Sequence, residues 1–203
     1  MKIEVRNDSV IIEGYVNAIE RDSRIMNSPQ GKFVEQVKTK TFQRALENAD
    51  NVDILLNHNS SKKLGSTTEG NLTLIEDTIG LRAMATITDE ETIQKAKNKE
   101  LRGWSFGFQM KKDSWGKTDS GIQRRFLEDI NLLEVSILDN TKICAYVGTS
   151  IESRDGGEEF LLEQRFNDSE IEVVDNTEEI RCEQNKIVYN LLENEILILK
   201  LKA

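Results

Sequence analysis

The chain has 203 residues, enough for one sizeable domain with an appendage, and a formal net charge of −9. Residues 1–150 carry 21 Lys and Arg against 22 Asp and Glu, whereas residues 151–203 carry 6 against 14, so a near-neutral body precedes a strongly acidic tail. Neither part has a basic surplus, which argues against a nucleic-acid reader.

In chain order, Met1-Lys2-Ile3-Glu4-Val5-Arg6 places charges where a signal peptide needs an apolar run. Residues 2–6 and 10–19 read as strands rich in β-branched side chains, with Gly14 marking a bulge or a close backbone approach. Residues 20–32 are polar, contain the single proline, Pro29, and read as a loop. Thr41 to Leu46 reads as a short helix that buries Phe42, Ala45 and Leu46, with Thr39 or Thr41 as its cap. Val52 to Leu56 is a buried strand that delivers Asn57-His58-Asn59 at its end. Strands follow at Leu72 to Ile75 and Gly80 to Ile87. Asp89-Glu90-Glu91-Thr92 then opens a helix that Lys95, Lys97 and Lys99 close, in accord with the helix dipole.

Leu101 to Met110 is the strongest strand. Trp104, Phe106, Phe108 and Met110 share one face at period two, and Ser105, Gly107 and Gln109 share the other, leaving open room in front of the serine. Ile122 to Ile130 and Leu132 to Leu138 read as two more strands. In the second, Leu133, Val135 and Ile137 face one way and Glu134, Ser136 and Leu138 the other. Many short strands with two short helices predict a mostly-β domain with a barrel architecture over 1–150. Residues 151–183 are acidic and weakly patterned, with a linker at 154–159, and residues 185–201 regain the rhythm of an amphipathic terminal helix. The apolar run Ile196 to Leu199 is too short to span a bilayer, so no membrane association is expected.

Three residues carry chemistry. His58 is the only histidine, so any imidazole base must be this one. Ser105 sits between glycines at 103 and 107 and is the candidate nucleophile. Glu134 is a carboxylate within an otherwise apolar strand, suited to orient the imidazole. Asp53, Asp129 and Asp139 are rivals for that third role. Each residue also has an ordinary structural explanation, as a strand-end cap, a strand serine or a solvent-facing glutamate. One histidine and two scattered cysteines, Cys144 and Cys182, fit neither a zinc site nor a disulfide framework. No metal and no cofactor are expected, and the setting reads as reducing and intracellular.

Asn57-His58-Asn59 with Leu64-Gly65, then Gly80-Leu81, then Leu101 to Phe108, then Leu133-Glu134-Val135-Ser136-Ile137 together resemble the prohead protease family of tailed phages. Gly14-Tyr15 and the Phe42-Ala45-Leu46 helix extend the resemblance over roughly residues 8–147. That family is similar in fold and site to the herpesvirus assemblins. The resemblance implies an assemblin-like β-barrel and a serine endopeptidase that trims capsid and scaffold proteins, and usually itself, inside the assembling prohead in the host cytoplasm. His58 would be the base, Ser105 the nucleophile and Glu134 the orienting residue, where assemblins use a second histidine. Assemblins activate on dimerising, so the same resemblance implies a homodimer. One departure is Ile143-Cys144-Ala145-Tyr146, with cysteine where the family often has proline. The competing expectation is a non-enzymatic assembly or scaffolding protein on the same fold.

Overall fold

A computed structural model describes residues 1–28, 31–141, 163–168 and 170–177. The linker at 154–159, the 143–146 segment, both cysteines and the terminal helix expected over 185–201 lie outside the described residues. The elements run β1 (Lys2–Val5), β2 (Val10–Ala18), β3 (Met26–Ser28), β4 (Gly31–Val37), α1 (Thr41–Asn48), β5 (Asp53–Leu56), β6 (Asn59–Ser66), β7 (Leu72–Glu76) and β8 (Gly80–Ile87). They continue with α2 (Glu90–Lys97), β9 (Leu101–Lys117), β10 (Gln123–Asp139), β11 (Glu163–Asp168) and β12 (Glu172–Asp175).

The chain is mostly β with two helices among the described residues, as its pattern predicts, and its sheet curls into a half-barrel. One sheet has the order β12-β1-β2-β8-β7. The other runs β11-β9-β10-β4-β3, with β5 pairing both β10 and β6. Period-two burial builds the core between them. In β8, Leu81, Ala83, Ala85 and Ile87 are buried while Arg82, Met84 and Thr86 are exposed. In β9, Trp104, Phe106 and Phe108 are fully buried. Phe42 of α1 meets Phe106 edge to face at 5.3 Å between ring centroids, which docks the helix on the sheet. Burying each such ring contributes about 2–3 kcal/mol by transfer from water.

Four local expectations need correction. The 20–32 segment is not all loop, because β3 and the start of β4 pair there as a short hairpin. β9 runs on to Lys117, beyond the core, so Met110 ends up 39 % exposed and leaves the apolar face it was expected to share. β10 is one strand with register shifts, not two strands, and the shift between Leu132 and Glu134 turns Leu133 outward. No threonine caps α1. Lys40 holds the cap position at φ 67°, and the Thr41 hydroxyl donates instead to the carbonyls of Leu127 and Glu128. The Glu76 carboxylate, on β7, accepts from the amides of Lys40 and Gln43 and satisfies the helix start from a distance. α2 follows the expected pattern, with Asp89 accepting from the Thr92 amide at 2.8 Å.

Asp139, at the end of β10, ties α2 to the sheet. Its carboxylate is 1 % exposed and lies 2.8 Å from Lys95 Nζ, while the Thr141 amide and hydroxyl donate to it. Burial pushes this carboxyl up, but the hydrogen bonds from Lys95, Thr141 and Asn57 outweigh burial and hold it far below the usual carboxylate range. A depressed folded-state value gives stability that is present above the unfolded-state value, near 3.9, and lost as the pH falls below it. Asp139→Asn should therefore cost about 2 kcal/mol at pH 7. The melting difference from wild type should shrink at pH 3; an equal difference at both values would refute the charge argument.

Candidate active site

The site lies on the face of β9 and β10 opposite the aromatic core. Register sets Ser105 directly across from Ser136 and Gly107 across from Glu134, so all four share this face. β5 runs parallel on the far side of β10, and the β5–β6 hairpin hangs over the same surface.

That hairpin is closed by Asn57 and His58 alone, between the paired Leu56 and Asn59. Both residues have positive φ, 57° and 58°, as a type I′ turn requires. Asparagine accepts this region readily, whereas histidine at such a φ carries strain of about 1–2 kcal/mol. Neighbouring bonds hold the turn against the strain. The Asn57 amide donates to the Ile137 carbonyl at 2.8 Å, and Asn57 Oδ1 accepts from the Asp139 amide at 3.0 Å. The His58 amide donates to Ser136 Oγ at 3.0 Å.

The imidazole then spans from one strand to the next. His58 Nδ1 lies 2.6 Å from Glu134 Oε1, and Nε2 lies 2.6 Å from Ser105 Oγ. Ser136 Oγ donates to Glu134 Oε2 at 2.8 Å, fixing the other carboxylate oxygen. An ionised carboxylate only accepts, so Nδ1 bears a ring proton, and Nε2 is the nitrogen left to take the Ser105 proton once that proton is no longer donated to the Arg165 carbonyl. The His58 and Glu134 side chains are each 11 % exposed, which keeps these bonds out of bulk water. Of the rival carboxylates, Asp53 pairs with Lys63 at 3.0 Å and Asp139 with Lys95, whereas the carboxylate on His58 is Glu134.

Gly107 makes room for the carboxylate rather than for a reacting group. A Cβ there would lie 2.3 Å from Glu134 Oε1. Gly107→Ala should displace the Glu134 carboxylate from Nδ1 and lower kcat about 100-fold while the protein still folds. Unchanged kcat in Gly107→Ala would show that the carboxylate tolerates the displacement.

The open space expected before Ser105 is filled. β11 pairs antiparallel along the free edge of β9, Ser105 is 1 % exposed, and its hydroxyl donates to the Arg165 carbonyl at 2.6 Å. Sequence reasoning missed Ser136 as the link between Glu134 and the His58 backbone. Its position two residues after Glu134, on the same face, was the available signal. Among the described residues, no three His, Cys, Asp or Glu side chains converge to hold a metal, and no helix is long and apolar enough to cross a membrane.

A serine, an imidazole and a carboxylate in hydrogen-bonded line form the arrangement used by serine hydrolases. Comparison with known families gives the same class: the family described as caudovirus prohead serine protease matches residues 1–162. The chain belongs to that family, whose members are capsid maturation proteases of tailed phages. No curated protein and no solved structure matches it.

Proposed function

We propose that the chain is a serine endopeptidase that cleaves capsid and scaffold proteins, and itself, within the assembling prohead. One observation carries this reading: the only histidine holds Ser105 and Glu134 at 2.6 Å, one on each ring nitrogen. Ser105 Oγ attacks the scissile carbonyl carbon as His58 Nε2 takes its proton. The C–N bond then breaks, and His58 returns the proton to the leaving amine. Water, activated by the same nitrogen, releases the acyl group from Oγ. Glu134 holds the ring in the required tautomer and stabilises the imidazolium.

The test is co-expression of the chain with its capsid and scaffold proteins, followed by intact mass, beside Ser105→Ala. Fragments that appear with wild type alone support the assignment, and their ends define the cleaved bonds. Capsids that assemble with no fragments in either case favour the non-enzymatic assembly protein.

A further inference from the structure

Strand β11 lies just beyond the family match, which ends at residue 162, yet it occupies the centre of the site. It takes the edge of β9 not used by β10, with Arg165 opposite Phe106 and Phe166 opposite Ser105. Addition of an extended segment to a sheet edge is a general way to bind a peptide. The register puts the carbonyl of one particular residue, Arg165, on the hydroxyl of Ser105.

The side chain of that residue enters an acidic site. Arg165 Nε donates to Glu35 Oε1 at 2.6 Å and Nη2 donates to Oε2 at 2.8 Å, a two-pronged pairing that suits a guanidinium. Its guanidinium lies 5.3 Å from the centre of the Phe108 ring. Glu35 is 4 % exposed and also accepts from Arg125 Nη1 at 3.2 Å, while Arg125 Nε donates to Asp113 at 2.7 Å. Among these groups the domain body contributes two carboxylates and one guanidinium, and Arg165 supplies the second cation. A buried carboxylate facing an incomplete set of cations favours a basic side chain and rejects a neutral or acidic one.

We infer that the free edge of β9 is the peptide-binding edge of the protease, that Glu35 selects a basic residue, arginine above lysine, on the acyl side of the cleaved bond, and that β11 occupies this edge as an internal substrate mimic. The inference rests on the catalytic reading of Ser105 above. It also explains the buried serine: the hydroxyl has one proton, and a proton donated to the Arg165 carbonyl is not donated to His58 Nε2. β11 must leave, or be cut after Arg165, before another chain can enter.

The 203-residue chain is treated with an alkyl fluorophosphonate, which forms a P–O bond to an active serine and releases fluoride. Arg165→Glu should label about tenfold faster than wild type or more, because it destabilises the covering strand. Arg165→Ala should move in the same direction and stands in if the charge-reversed chain fails to fold. The freed enzyme is then given peptides copying residues 160–170 with Arg or Gln at the position of Arg165. The Arg peptide should have a kcat/KM at least about tenfold higher. Adding Glu35→Gln should bring the ratio near one while the Gln peptide is still cut. Labelling at equal rates in wild type and both Arg165 variants overturns the covering role. Equal cleavage of the two peptides overturns the specificity assignment. In both cases Ser105 stands as nucleophile. A Ser105 that labels in no variant overturns the catalytic reading itself, and this inference with it.

Discussion

Ser105→Ala is expected to stop all cleavage of co-expressed capsid and scaffold proteins and to leave the fold in place. The hydroxyl is the atom that bonds to the acyl group, so its loss removes the covalent route, a fall on the order of 10⁴-fold or more. Structurally the change is small. Oγ donates to the Arg165 carbonyl and lies 2.6 Å from His58 Nε2, and losing it costs about 1 kcal/mol net, which lowers the melting temperature by about 2–4 °C at this size. Inactivity with a nearly unchanged melt therefore separates chemistry from unfolding. Removing the imidazole should be equally severe, because the three residues act as a unit. His58→Asn is the cleaner variant, since position 58 has φ 58° and asparagine accepts that region where alanine does not. Wild-type fragments from either variant would overturn the assignment.

The parts of this site that were legible in the sequence are those set by short-range rules. Period two put Ser105 and Gly107 opposite an aromatic face, and a single histidine left one choice of imidazole. Asn57-His58 at the end of a buried strand placed that imidazole at a strand mouth, and the structure closes the β5–β6 hairpin there. The parts that were not legible depend on distant pairing. The cap of α1 comes from Glu76 on β7, and no local pattern distinguishes that from a threonine cap. The outward turn of Leu133 comes from a register shift against β9, which period two along one strand does not reveal. Above all, residues 163–168 sit in an acidic, weakly patterned stretch. Their strand lies on the edge of β9 that β10 leaves unused, with Arg165 on Glu35, and both partners come together only in the folded body.

Glu134→Gln should lower kcat by on the order of 10³-fold or more with little change in KM, because it alters which ring nitrogen carries the proton. In the native site Glu134 accepts on both oxygens, from Nδ1 and from Ser136 Oγ. Glutamine keeps one acceptor and gains a donor. Ser136 Oγ also takes the His58 amide, and its own proton needs an acceptor. The amide therefore settles with its oxygen toward Ser136 and its NH₂ toward Nδ1, which must then be the bare nitrogen. Nε2 becomes N–H, donates to Ser105 Oγ and can no longer take its proton. Ser136→Ala tests the same chain of bonds from its other end. It frees one carboxylate oxygen but leaves the Nδ1 bond intact, so a loss of about tenfold is expected. Rates of fragment appearance from isolated shells, measured under single-turnover conditions, rank the two variants. A loss in Ser136→Ala as large as that in Glu134→Gln would mean that holding the hairpin, rather than choosing the tautomer, is what the carboxylate does. A Glu134→Gln enzyme as fast as wild type would mean that the strained turn at positions 57 and 58 orients the ring unaided.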